Sequence, residues 1–483
     1  MMSSLKQKAT TGLKWSAVER LATQAVQLLV MLLLARQLGP QAFGLVGMLA
    51  VFIAVSQVFV DSGMTSALIR KLDRTEADFS TTFYFNIVVA VICYAILYLT
   101  APSIARFYQQ PELIELTRVL GLVVMVNAFA VIQKAKLTIV MDFKTQAKAS
   151  LLSVLLSSFA ALTTAHLGFG VWALVVQTLT FAICNVLLLN IFHFWWPTNR
   201  FSRQSFNNLF GFGSKLLLSS LLDTLYQNIY QLVIGKQFNA TDVGYFTQAN
   251  QLVRTPAVTM ATIIKNVTYP LLSGIQQDSQ RLNHAYLLII RLAAVIVFPL
   301  LIGLATVADI LLPLVLGEQW QPAVILVTIL SLGFLLYPIH SINLNYLQVK
   351  GRSDLFLKLE IIKKTITTLM LFITVPYGIT AICIGMVVQS YLALVINTYY
   401  NGKLGNLGLI KQLQDLLSIG TIAAFVCISG KLLAIQFISN PLLQLILIGI
   451  YAIPSYIILI KIFQPDLYQQ ILSMLQSKTS RPS

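Results

Sequence analysis

Apolar runs of about twenty residues follow one another along almost the whole chain, separated by short turns rich in Gly and Pro such as LGPQAFG, HLGFGVW and PYGIT. A run of that length crosses a hydrocarbon core of about 30 Å as a helix. In lipid, backbone polar groups must be satisfied within the segment itself, so the runs predict an all-α polytopic membrane protein. Windows of about 19 residues place about fourteen spans, near 12–37, 43–68, 80–101, 112–134, 147–167, 170–194, 209–235, 243–272, 283–307, 322–347, 355–376, 379–401, 413–435 and 441–463.

Composition agrees. Charged residues make up 10% of the chain and hydrophobic residues 57%, where a soluble protein carries about a quarter charged residues. The net charge of +16 does not point to nucleic acid, because the basic residues are spread over many short loops and form no arm or basic domain. With the N-terminus cytoplasmic, inside loops collect Lys6, Lys8 and Lys14, Arg70, Lys71 and Arg74, Lys134, Lys136, Lys144 and Lys148, Arg200 and Arg203, Arg281, Lys350, Arg352 and Lys358, Lys403 and Lys411, and Lys461, Lys478 and Arg481. Outside loops hold only Arg36, Arg106, Lys236 and Lys431. The positive-inside rule then puts both termini in the cytoplasm. The lead MMSSLKQKAT has no small-residue cleavage site after it, so the first span is expected to stay in the membrane. Cys93, Cys184, Cys383 and Cys427 sit in apolar runs without paired spacing and read as core residues.

The first span recurs two hundred residues later. LLLARQLGPQAFGLVGM (32–48) lies without gaps over LVIGKQFNATDVGYFTQ (232–248), with Arg36 on Lys236, Gln37 on Gln237 and Gly44 on Gly244. At the same offset Arg20, Thr23 and Gln27 fall on Ser220, Asp223 and Gln227; a looser pairing sets 111–122 against 321–332. The chain therefore reads as parallel repeats: a six-helix lobe at 1–200, a second at 201–402, and two additional C-terminal helices with a cytoplasmic tail at 403–483.

On a helix of about 100° per residue, Ser16, Arg20, Thr23 and Gln27 share a narrow arc, giving span one a polar edge that would line a cavity. Further charges lie within spans: Arg118, Lys215, Arg254, Lys265, Arg291, Lys363 and Lys364 among the bases, and Glu19, Asp61 and Asp223 among the acids. A lipid-facing charge costs roughly 2.5 to 3.5 kcal/mol at mid-span, so most must meet water, an acid or a ligand. Lys215, Arg118 and Arg291 lie near span ends, where snorkelling competes with a functional role. Arg254 and Lys265 reach no interface easily and predict a cationic cavity between the lobes, weighed against structural ion pairing. Candidate substrate-binding residues are Arg20, Gln27, Lys215, Gln227, Asn228, Tyr230, Arg254 and Lys265. Asp223 and Glu19 are candidate ion-coupling groups, since burial favours a protonated carboxyl. Asp61 reads as a packing or capping residue. There is no GxxxxGK[ST] loop, and His166, His193, His284 and His340 lack metal-ligand spacing, so no catalytic, metal or cofactor site is expected. Trp195, Trp196 and Trp320 fit an interfacial aromatic belt.

The opening GLKWSAVERLATQAVQLLVMLLLARQLGPQAFGLVGM, with DSGMTSALIRK, ARFYQQPELIELTRVL, TYPLLSGIQQD and LLPLVLGEQWQPAVILVTIL, resembles the polysaccharide-transporter branch of the multidrug/oligosaccharidyl-lipid/polysaccharide exporter superfamily. The likeness covers spans one to twelve and is strongest to Wzx-type flippases of the colanic acid and teichuronic acid exporter kind. It implies two six-helix lobes in a V, with spans one and seven lining a central cavity. It also implies movement of an undecaprenyl-diphosphate-linked oligosaccharide to the outer leaflet by alternating access, in exopolysaccharide, O-antigen or teichuronic acid export. The setting implied is the bacterial cytoplasmic membrane, beside the glycosyltransferases and polymerase of one pathway. Rival readings are a multidrug or cation antiporter, which predicts an acidic cavity, and a lipid II flippase, which shares the architecture. A membrane-embedded glycosyltransferase needs catalytic acids and a large outer loop, and no loop here is long enough.

Overall fold

The computed structural model describes the backbone of residues 2–61, 63–405 and 407–479; side chains at 2–14, 16–20, 266, 267, 269, 270 and 474–479 lie outside that description. In chain order the helices are α1 (Met2–Asp61), α2 (Met64–Arg70), α3 (Glu76–Tyr108), α4 (Leu113–Ala128), α5 (Val131–Ile139), α6 (Phe143–His166), α7 (Trp172–Phe192), α8 (Arg203–Gln237) and α9 (Ala240–Gly274). They continue as α10 (Ser279–Leu316), α11 (Gln321–Phe334), α12 (Tyr337–Val349), α13 (Ser353–Thr374), α14 (Ile379–Gly405), α15 (Leu409–Phe437), α16 (Pro441–Phe463) and α17 (Pro465–Thr479). No strand occurs among the described residues, so the chain is an all-α polytopic protein.

Among the described residues ten stretches are long and apolar enough to cross a membrane, the first of them running Leu21–Arg70. That first stretch joins two of the expected spans, and α1 is itself two helices: the backbone breaks at Gly39 (φ 74°, ψ 175°), a conformation open to glycine, just before Pro40. The expected spans seven, eight and eleven correspond to α8, α9 and α13. These are 35, 35 and 22 residues long but are absent from the ten stretches that qualify by length and composition. The helix after 111–122 and the helix after 321–332 are both broken, between α4 and α5 and between α11 and α12.

Contacts divide the chain into two compact units, 1–247 and 248–483. Within the first, α8 packs on α1, α2 and α3, so this unit runs past residue 200; the six-helix lobes stay a reading of the sequence repeat. The closest approach inside the unit joins repeat-equivalent positions. A Cβ on Gly44 would lie 1.6 Å from Ala240 O, and one on Gly244 would lie 1.9 Å from Pro40 O. Residues 40 and 44 meet 240 and 244 in a two-fold pattern, which only glycine allows at this separation. Asn239 caps the second of these helices, its Oδ1 accepting from Asp242 N at 2.9 Å.

Elsewhere in the first unit Met64, Leu68, Phe79, Phe83, Trp195 and Leu209 form one apolar cluster. Polar contacts border it: Trp195 Nε1 donates to Glu76 Oε2 at 3.0 Å, Lys136 Nζ to Glu76 Oε1 at 2.8 Å, and Lys71 Nζ to Asp78 Oδ2 at 2.7 Å. Trp195 is therefore a packing residue and Trp320 is fully buried, which corrects the aromatic-belt expectation; of the three, Trp196 alone is exposed. Both rings lie where the chain turns into or out of a helix, and packing there outweighs the interface.

In the second unit α15 and α16 are anchored along α10. Arg291 pairs with Asp415 at 2.8 Å and Lys431 with Asp309 at 2.8 Å, and Tyr456 Oη donates to Val295 O at 3.1 Å. Large apolar side chains of α16, including Ile450, Ile453, Ile462 and Phe463, point outward, as expected of a lipid-facing surface. A buried polar network ties the same unit together: Tyr286 Oη and Asn401 Nδ2 each donate to Asn343 Oδ1 at 2.6 Å, and Gln412 Nε2 donates to Tyr286 Oη at 3.0 Å.

Gly44→Ala is expected to lower the thermal midpoint of the solubilised protein by several degrees, an overpacking cost of about 1–3 kcal/mol. Gly211→Ala, whose added methyl meets nothing within 4 Å, should not lower it. Asn343→Ala strips Tyr286 and Asn401 of their shared acceptor and is expected to cost about 1–3 kcal/mol by the same measurement.

Candidate functional site

α8 owes its polarity to one edge. Ser202 starts the helix, its Oγ accepting from Ser205 N at 3.2 Å, and from there Ser220, Asp223 and Gln227 recur at helical spacing on an exposed strip. Asn228, half-buried beside it, turns its Nδ2 back onto Thr224 O at 2.8 Å. Tyr230 is half-buried with its ring 6.3 Å from that of Phe246. Lys215 is exposed two turns before Asp223. The structure thus brings five of the expected residues, Lys215, Asp223, Gln227, Asn228 and Tyr230, onto a single helix of the first unit.

Gln27 is exposed on α1, and Thr23 is half-buried. Arg20 and Glu19 lie on the backbone of α1, but their side chains fall outside the described residues. On α9, Arg254 is half-buried and Lys265 is exposed. Three turns of helix separate them, so they are two distinct cationic points.

The remaining in-span bases find local partners, and the snorkelling expected of two of them does not account for their contacts. Arg291 pairs with Asp415, both largely shielded, and Arg118 lays its guanidinium 4.5 Å from the centre of the Tyr98 ring. Lys363 pairs with Glu360 one turn away. Glu360 and Asp415 were not among the acids read as embedded; the i,i+3 spacing of Glu360 and Lys363 is the signal that could have found the first. Cys93, Cys383 and Cys427 are buried with free thiols. Among the described residues no group of three or more His, Cys, Asp or Glu is placed to hold a metal.

The polar strip on an otherwise apolar helical bundle is matched by what the chain is similar to. A family model described as polysaccharide biosynthesis protein matches residues 33–325. The chain belongs to that family. Relatives of this polysaccharide biosynthesis protein include the teichuronic acid biosynthesis protein TuaB of Bacillus subtilis (strain 168), 27% identical over 356 residues that cover 73% of this chain and 74% of that protein. The lipopolysaccharide biosynthesis protein WzxC of Escherichia coli (strain K12) is 25% identical over 401 residues, 82% of this chain and 80% of that one. Among solved structures, a lipid II flippase MurJ in an inward closed conformation aligns with a TM-score of 0.75 at 15% identity, covering 93% of this chain and 99% of that chain. An inward-facing multidrug resistance transporter of the MATE family aligns at 0.62 and 18% identity, covering 81% of this chain and 98% of that one. At these identities the structures speak to the fold, which is the flippase and multidrug-exporter fold.

Breaking one ion pair separates a charge held by a partner from one on the exposed strip. Arg291→Leu should destabilise the protein by about 1–2 kcal/mol, since the pair is only partly buried. Adding Asp415→Leu should recover most of that loss in a thermal melt, whereas Lys215→Leu alone should leave the melt unchanged.

Proposed function

We propose that this protein is a flippase that carries an undecaprenyl-diphosphate-linked oligosaccharide repeat unit across the bacterial cytoplasmic membrane by alternating access. It would serve export of an exopolysaccharide, O-antigen or teichuronic acid. The observation that carries the reading is the exposed polar strip of α8 with Lys215, Asp223 and Gln227, set in a family of polysaccharide biosynthesis proteins. Exposed polar side chains in mid-membrane persist only where water or a polar ligand meets them.

The diphosphate is the costliest part of such a lipid to move through hydrocarbon. Arg20, Lys215, Arg254 and Lys265 replace its water and counterions with charge-assisted hydrogen bonds. Gln27, Gln227, Asn228 and Tyr230 donate to and accept from sugar hydroxyls, and the polyprenyl tail stays in lipid. Release on the far side requires that binding weaken, and protonation or cation binding at Asp223, with Glu19, supplies a bias between the two states. Glycosyltransferases that complete the repeat unit and a polymerase that consumes it are the partners this reading requires, and both termini are cytoplasmic in it.

The test is a reconstitution in which liposomes carry undecaprenyl-diphosphate oligosaccharide and the exposure of inner-leaflet sugar to an external probe is timed. Wild-type protein should accelerate exposure over protein-free vesicles. Arg254→Ala and Lys265→Ala should each slow it at least tenfold, about 1.4 kcal/mol or more on the transition state, without loss of folded protein. Wild-type rates in both variants would overturn the diphosphate role, and acceleration seen with lipid II but not with the oligosaccharide lipid would reassign the cargo.

A further inference from the structure

The second unit contains a cavity of about 390 Å³ walled by α11, α12, α13 and α14, and it opens beside the break between α11 and α12. Interrupted helices in membrane transporters expose backbone and side-chain polar groups where ions are handled. His340, in the first turn of α12, lines this cavity together with Glu360, Lys363, Gln389 and Ser390. It is half-buried, so one side of the ring meets the cavity and the other meets protein.

The hydrogen bonds around the ring fix its protonation. Ser390 Oγ donates its one proton to Gly333 O at 2.8 Å. The 3.1 Å contact between Ser390 Oγ and His340 Nε2 therefore runs the other way, with Nε2–H as donor. At the opposite nitrogen, Asn397 Nδ2 lies 3.4 Å from Nδ1, an amide donor facing a bare lone pair. The chain Asn397 to His340 to Ser390 to the Gly333 carbonyl points in one direction throughout, and it holds a neutral imidazole in a single tautomer. Gly333 lies in the last turn of α11, so the ring bridges both sides of the helix break.

Asn397 is fully buried, and its Oδ1 accepts no hydrogen bond. A half-turn of that amide about its last torsion presents Oδ1 to Nδ1, which is the arrangement an Nδ1–H requires. The site is thus complete for the neutral ring and carries a spare acceptor for the charged one. Glu360, on the same cavity, is the carboxylate available to balance the added charge, and it is at present engaged by Lys363. Lys363, on the same cavity, carries a charge that opposes an imidazolium, and Tyr337 lines the cavity as well; α11 carries no ionisable side chain, α14 presents Ser390 and Asn397, and α10 presents Tyr286, which is committed to Asn343.

We propose that His340 is a proton-binding site, separate from the cargo-facing strip of α8, and that loading it biases the broken helix between two arrangements. A hydronium ion entering the cavity gives its proton to Nδ1 and leaves as water, and the resulting imidazolium is bonded to Asn397 Oδ1 and Ser390 Oγ. Glu360 then divides its charge between Lys363 and the ring, and loss of the proton to water restores the present chain. Coupling of this step to transport rests on the flippase reading above; proton binding itself does not.

The experiment uses the full chain labelled with ¹⁵N-histidine in lipid bilayers, where only four histidines contribute. The His340 signal is assigned by its loss in His340→Gln and, independently, by its displacement in Asn397→Leu. At alkaline pH it should report a proton on Nε2 alone, and on acidification it should convert to the doubly protonated ring. Asn397→Leu and Glu360→Gln should each require at least tenfold more acid for that conversion. An Nδ1–H tautomer at alkaline pH, or a ring that stays neutral through pH 4 in the wild type, would overturn the proposal, as would conversion unmoved by both variants. In the liposome assay an imposed proton gradient should change the wild-type rate at least fivefold and the Asn397→Leu rate little. A wild-type protein that moves no oligosaccharide yet titrates at His340 would refute the cargo assignment and leave the proton site standing.

Discussion

A polar group in hydrocarbon must find a partner, and that single cost arranges this molecule. It forces the backbone into helices, because no other open structure satisfies its own donors and acceptors within one segment. It then acts on each charged side chain left within a span. Arg291 has Asp415, Lys363 has Glu360, and Arg118 has the face of Tyr98. Along Ser220, Asp223 and Gln227 the polar strip is exposed, and a polar group exposed at membrane depth is met by water or a polar ligand.

The same cost explains why the polar groups of the second unit gather into two places rather than scatter. Tyr286, Asn343, Asn401 and Gln412 close on one another and leave little for a ligand, so they bind α10, α12, α14 and α15 together. Asn401 Oδ1 in that network and Asn397 Oδ1 at His340 are both buried without a hydrogen bond; what sets His340 apart is that its ring lines an open volume, and an unsatisfied group beside a cavity can change state.

Duplication leaves its own physical trace. The glycines at 44 and 244 were matched by sequence alone, and in the fold each approaches the partner helix at the equivalent carbonyl, Ala240 O and Pro40 O. A crossing between copies of one segment tends to be two-fold, because the surface that suits one copy suits the other. The two broken helices, α4 with α5 and α11 with α12, repeat the theme at a second place.

Hydropathy by itself determined the all-α membrane class, because it depends on local composition; matching residues at a fixed offset pointed to a repeat, and the family was reached through the resemblance of particular motifs. The polar edge of α8 was legible as well: helical periodicity puts Ser220, Asp223 and Gln227 on one arc wherever the helix lies. Tertiary structure alone decided which charges are neutralised, since Asp415 lies far from Arg291 in sequence and no periodicity joins them. It also moved Trp195 and Trp320 from a supposed interface into the core. His340 looked like a lone packing residue in the sequence, because its tautomer is set by Ser390 and Asn397 on another helix, and only their distances reveal the spare acceptor.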